Sequence, residues 1–168
     1  GGAQHVLSLN GRADVRSGTA DVTLDIAATG EADRAHLALL AAPDRGDFDI
    51  NADLVMPRGG AFAQLSGWNH RLTAIVRGSG NWQRWNGTLL ADADGSALAR
   101  LRLGARDGLY SVRGRVSPGQ LGGAMLARLA SGGIAVDGEG HFLNRRLDGR
   151  LNLVADAVSV ETQGLVDI

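Results

Sequence analysis

The stretch GDFDINADLVMP, residues 46–57, sets Asp47, Asp49, Asn51 and Asp53 in alternation with Phe48, Ile50, Ala52, Leu54 and Met56. Two readings compete for it. The D-x-D-x-N spacing opens the calcium loop of an EF-hand, which needs Gly at its sixth position for a sharp turn and a bidentate Glu at its twelfth. Those positions hold Ala52 and Arg58. The turn and the bidentate ligand are lost, and a cation stands where the metal needs an anion. Alternation with period two is the signature of a strand with one wet face and one dry face.

The same alternation recurs along the chain. Val22, Leu24 and Ile26 alternate with Asp21, Thr23 and Asp25, and Leu37 and Leu39 follow. Leu72, Ala74 and Val76 make a further run, then Leu89, Ala91 and Ala93. Leu101 and Leu103 alternate with Arg100 and Arg102, and Tyr110, Val112 and Val116 with Ser111, Arg113 and Arg115. The tail continues with Ile134, Val136 and Phe142, with Leu147, Leu151 and Leu153, and with Val158, Val160 and Val166. This predicts about eleven strands of about ten residues, joined by short turns such as Asp94-Gly95 and Asp107-Gly108. Antiparallel hairpins are the economical connection.

Composition narrows what such strands can build. Gly supplies 25 of 168 residues, aromatics only 4%, and the apolar 44% is mostly Ala, Leu and Val. Net charge is -1 with both signs spread along the chain, which suggests neither a nucleic-acid footprint nor an anionic-membrane patch. All 17 basic residues are Arg, read here as coding bias because they look dispersed. Cysteine is absent, so disulfides, thiolate chemistry and Cys-based zinc sites are excluded while the compartment stays open. No apolar run approaches the roughly 18 residues of a membrane helix, and no signal segment opens the chain. Both ends interrupt the pattern, so residues 1–168 are expected to be a piece of a longer repeat-built domain.

Two segments break the alternation. RGGAFAQLSGW (58–68) and GQLGGAMLARLASG (119–132) have helical apolar spacing behind Pro57 and Pro118, and predict short helices. The resulting unit is four strands plus one helix, with approximate repeats over 5–68, 70–130 and a shortened 133–168. RSGT (16–19), RWNGT (84–88) and RRLDGR (145–150) each put Gly after Arg and a turn-type residue, and are read as a recurrent turn. From the upstream Gly to that turn Gly the spacing is 7, 9 or 11, and even differences keep side chains on their face. A repeat that preserves face but not length builds a continuous surface.

Nothing catalytic emerges, and the chain is not expected to be an enzyme or to carry a cofactor or metal. His5, His36, His70 and His141 share no ligand spacing, and no nucleophile elbow, phosphate loop or H-E-x-x-H occurs. GSGNWQ and GEGHFL lack the third Gly of a dinucleotide loop and read as turns or close backbone approaches. Asn86-Gly87-Thr88 matches a glycosylation sequon, which the turn reading explains. Trp68, Trp82 and Trp85 fall at a helix end and the following hairpin, as local packing without a basic stripe.

A dry face can be hidden inside a closed barrel, covered by a second sheet, or curled into a long trough. Internal repeats disfavour a barrel of fixed strand number, and a lipocalin-like ligand barrel with it; too few aromatics are present for the girdles of an outer-membrane barrel. A two-sheet sandwich and a trough remain. In the trough the fold class is all-β with short helices, repeated antiparallel strands forming an elongated curled sheet, a β-groove with an apolar concave face. Its lining would be Val22, Leu24, Ile26, Phe48, Ile50, Leu54, Leu72, Val76 and Leu89 from the first half. Leu101, Leu103, Val112, Val116, Ile134, Val136, Leu151, Leu153 and Val160 would supply the second. Small lining residues leave volume that an acyl chain could fill, at about 0.8 kcal/mol per buried CH₂.

VTLDIAATG (22–30), FDINADLVMPRGGAFAQLSGW (48–68), TAIVRGSGNWQRWNGTLLADADG (73–95) and ARDGLYSVRGRVSPGQLGGAMLARL (105–129) resemble the TamB / AsmA-like family. The likeness is one of repeat texture and covers nearly the whole chain. It implies an inner-membrane-anchored protein of Gram-negative bacteria whose β-groove crosses the periplasm. The family is implicated in moving phospholipid to the outer membrane and in outer-membrane protein assembly with a TamA-like barrel partner. Regions outside this sequence would make that partner contact. The alternative from another class is a structural or adhesive β-solenoid spacer of a secreted surface protein, which usually has shorter coils and no recurrent helix.

Overall fold

The computed structural model describes residues 7–16, 19–28, 32–42, 46–66, 68–81, 83–118, 132–143, 146–155 and 159–167. Eleven strands form one sheet in chain order, each antiparallel to the next. They are β1 (Leu7–Arg16), β2 (Thr19–Ala28), β3 (Arg34–Ala42), β4 (Asp47–Met56), β5 (Leu72–Asn81), β6 (Arg84–Ala93), β7 (Ser96–Arg106), β8 (Leu109–Val116), β9 (Ile134–Leu143), β10 (Arg146–Val154) and β11 (Ser159–Asp167). One helix, α1 (Ala61–Ser66), interrupts them after β4. The sheet is curled and not closed into a barrel, since β1 and β11 each pair with a single neighbour. The opening acidic stretch is β4, a strand.

The tight turns follow their sequences. Asp94-Gly95 has φ of 49° and 82°, and Asp107-Gly108 has 51° and 83°, the two left-handed residues that a type I′ hairpin requires. RWNGT differs from its expectation. Arg84–Ala93 is continuous strand, so Gly87 and the sequon around it lie inside β6, and Gly149 lies inside β10. Register explains the difference: Gly87 pairs with Gly78, and Gly149 with Gly140. These glycines make room above the sheet rather than turn the chain. The expected second helix, 119–132, lies outside the described residues except for Gly132, and Trp82 and His5 lie outside them too.

The sheet has unlike rims. Connections β1–β2, β3–β4, β5–β6, β7–β8 and β9–β10 are short and share one rim. The opposite rim carries α1, the β6–β7 turn and the long β8–β9 connection. Buried apolar residues collect there: Ala28, Met56, Ala91, Ala93 and Ala99 from the sheet, with Ala61 and Ala63 from α1. Small side chains let the helix approach the sheet closely. Buried Asp33 sits against Gly60, where a β-carbon would collide with its carboxylate.

An ionic clip ties this rim together. Asp94 accepts hydrogen bonds from His70 Nδ1 at 2.8 Å, Arg58 at 2.8 Å and the Arg71 backbone N–H at 3.0 Å. Trp68 packs edge-on against His70 at 5.8 Å. The His70 hydrogen bond first, then the Arg71 amide and Arg58, lower the Asp94 carboxyl from 3.8 to about 2. A carboxyl depressed in the folded state stabilises the fold above its unfolded pKa and loses that contribution as pH falls through its folded pKa. The clip therefore weakens as pH drops from 3.8 toward about 2. Tryptophan fluorescence should report a loosening of this rim over that interval. Asp94→Asn, which keeps an acceptor for Arg71 but removes the charge, should abolish the transition; an unchanged transition in the variant would assign it elsewhere.

Candidate functional site: an apolar trough

Cross-strand partners in an antiparallel sheet share a face, so register alone sorts the side chains. One row runs Gly11, Leu24, Leu37, Ala52, Val76, Leu89, Leu101, Gly114, Val136, Leu153, Val160, apolar across all eleven strands. Beside it run Ala13, Val22, Leu39, Ile50, Gly78, Gly87, Leu103, Val112, Gly138, Leu151 and Thr162, interrupted only at its end by a hydroxyl. Toward the short-turn rim comes Val15, Ala20, Ala41, Phe48, Gly80, Trp85, Ala105, Tyr110, Gly140, Gly149 and Gly164. Toward the helix rim lie Leu9, Ile26, Ala35, Leu54, Ala74, Ala91, Ala99, Val116 and Ile134, and beyond them Met56, Leu72 and Ala93.

Every residue expected to line a groove falls on this one face. The set includes Val22, Leu24 and Ile26 of β2, Phe48, Ile50 and Leu54 of β4, Leu72 and Val76 of β5, and Leu89 of β6. It continues with Leu101 and Leu103 of β7, Val112 and Val116 of β8, Ile134 and Val136 of β9, Leu151 and Leu153 of β10, and Val160 of β11. No second sheet covers them among the described residues. Most are half-buried against their neighbours, and Leu9 and Val15 are 70% and 75% exposed. The other face carries Asp49 and Asp53 of β4, Arg102 of β7, Arg113 of β8 and Asn152 of β10.

Trp85 shapes the trough. Its indole lies over Gly78 and Gly87, where added β-carbons would come within 2.5 Å and 2.8 Å of the ring. Phe48 stacks beside it at 6.4 Å. Larger residues at either glycine would lift the ring off the sheet. Past Trp85 the trough widens into a cavity of about 570 Å³, with Leu103, Val112 and Leu151 as walls and Gly138, Gly140, Gly149 and Gly164 as floor. Tyr110 and Thr162 bring hydroxyls to its edge. Sequence reading placed Trp85 in local packing; the pairing of Gly78 with Gly87, which makes its seat, is a cross-strand relation that one strand does not display.

Arginine placement also differs from the sequence reading. Folding gathers Arg100, Arg102, Arg106, Arg113 and Arg115 on the outer face of the β7–β8 hairpin, with Arg100 opposite Arg115 and Arg102 opposite Arg113. Acids on flanking strands answer several of them. Arg100 meets Asp92 at 2.8 Å, and Arg113 meets Asp137 at 3.2 Å and Glu139 at 3.8 Å. His36 meets Asp25 at 2.6 Å on the same wet side, and no cluster of metal-ligating residues occurs among the described residues. Comparison with protein-family models, curated proteins and solved structures returned no match.

Proposed function

We propose that this chain is a segment of a lipid-transfer protein of outer-membrane biogenesis, a non-catalytic trough that holds phospholipid acyl chains. The reading places it in the periplasm as part of an inner-membrane-anchored protein, with any TamA-like barrel partner engaged by other regions. The observation that carries it is the unbroken apolar row from Gly11 to Val160, open to solvent along its length. Eleven strands at about 4.8 Å spacing give a trough about 48 Å long. A bilayer core about 30 Å thick holds two opposed chains, so about three chains fit end to end. A spacer needs no such surface: continuous exposed apolar area is an aggregation liability unless something covers it.

Photo-crosslinking amino acids at Leu103 and Leu151, with mass spectrometry of the adducts, test the proposal. Phospholipid should be captured there and not from Arg102 or Asn152, one residue away on the wet face. Equal capture from both faces, or none from either, would return the segment to the β-solenoid spacer reading.

A further inference from the structure

The short-turn rim next to Trp85 carries a pair of like charges. Arg84, immediately before Trp85, pairs in register with Arg106, immediately after Ala105. Both are exposed, and neither has an acid partner among the described residues. Like charges directly opposite on a sheet repel, so the pair does not serve stability. Two neighbouring connections fix it in place. Asn81 Oδ1 accepts the backbone N–H groups of Gln83 and Arg84 at 3.0 Å and 2.8 Å, and Asp107 N–H donates to the Gln83 carbonyl at 2.7 Å. Asp107 is the nearest acid along the chain, and Asp47 lies opposite Asn81 on the next strand.

On the inner side of the same rim stand Trp85 and Tyr110, which line the cavity, and Phe48, stacked beside Trp85. Tyr110, which is exposed, has the apolar ring and polar tip that suit the place where hydrocarbon meets water, and Trp85 and Phe48 add apolar ring surface beside it. Paired guanidinium groups suit a phosphate, which takes several charge-assisted hydrogen bonds at once. Trp85 faces the trough, while Arg84 and Arg106, each one residue nearer the strand ends, stand on the outer face and meet the rim from that side. Hydrocarbon contacts and an anion site therefore flank one rim.

Resting on the lipid reading of the trough, we infer that Arg84 and Arg106 hold the phosphate of a glycerophospholipid whose chains lie beside Trp85. The lipid then travels with a fixed orientation. Its headgroup hangs over the short-turn rim, away from the rim where α1 packs against β4. Arg100 and Arg113, farther along β7 and β8, are answered by Asp92 and Asp137, and Arg102 and Arg115 stand several residues back from the short-turn rim.

Quenching of tryptophan fluorescence by bromo-acyl lipids separates this site from the trough itself. Wild-type protein should bind brominated phosphatidylglycerol more tightly than diacylglycerol with the same brominated chains. Arg84→Gln with Arg106→Gln should weaken phosphatidylglycerol binding about tenfold, the scale of losing charge-assisted contacts, and leave diacylglycerol binding within about twofold. Inorganic phosphate at millimolar concentration should not release the lipid; if it does, the site takes free phosphate and the inference fails. Equal binding of both lipids by wild type overturns the headgroup site and leaves the trough standing. Binding of neither overturns both.

Discussion

Leu103→Arg and Leu151→Asp should each remove lipid capture, while Arg102→Asp and Asn152→Asp, one residue away, should leave it within about twofold. Leu103 lies opposite Gly87 and Val112, and Leu151 opposite Gly138 and Thr162; all face the trough, and all but Gly87 line its cavity. A charge set there must be stripped of water when a chain covers it, or must hold water where the chain would lie. Either outcome costs several kcal/mol, more than tenfold in occupancy. The open trough spares the fold much of that cost, because a long side chain can carry its charge out past the rim. Loss of capture with retained β-structure by circular dichroism is therefore the expected pair of results. Arg102→Asp replaces a repulsive pairing with Arg113 by an attractive one and should be neutral or slightly stabilising. If the wet-face variants lose lipid as completely as the trough variants, the face assignment is of no consequence to binding and the conduit reading fails.

How much of this was legible beforehand follows from the range of each signal. Alternation is local, so Asp47–Met56 declares a strand and names its dry residues without knowing any neighbour. Antiparallel pairing carries that parity from strand to strand, so the expected lining residues share one face. Features that depend on what lies across the ladder were not legible. Gly87 reads as a turn residue in RWNGT, and only its pairing with Gly78 shows that the two form the seat of Trp85. Arg100, Arg102, Arg113 and Arg115 look dispersed in sequence because the hairpin that brings them together reverses the chain at Asp107-Gly108. The register shift at Ala91/Asp92, a bulge that adds local bend and twist, has no sequence mark either. Nor does the clip at Asp94, which joins residues 24 and 36 positions apart.

Three glycines should give three different melting results when changed to alanine, and the largest belongs to Gly114. It sits in the middle of β8, opposite Leu101 and Val136 in the central apolar row, with φ of 154°. A β-carbon there would fall on the carbonyl oxygen of Arg100 and lie 2.9 Å from the Leu101 Cα. Both are backbone atoms of the paired strand, so no rotamer change relieves the overlap; the β7–β8 ladder itself must shift. Forced backbone strain of this kind costs about 2–4 kcal/mol. In a chain of this length that lowers Tm by roughly 4–16 °C. Gly95, at φ 82°, has nothing within 4 Å of an added β-carbon. Its alanine variant meets only the left-handed penalty of about 1–2 kcal/mol, and a smaller drop. Gly11 has ordinary room, its nearest neighbour being Leu24 Cδ1 at 3.6 Å. Alanine there removes glycine's conformational entropy from the unfolded chain and should be neutral or stabilising by up to about 1 kcal/mol. The β7–β8 ladder also sets Leu103 against Val112 in the cavity wall, so Gly114→Ala should weaken lipid capture even below its melting point, whereas Gly95→Ala should not. A Gly114→Ala protein that melts within a degree of wild type would mean that the β7–β8 register is not the one described.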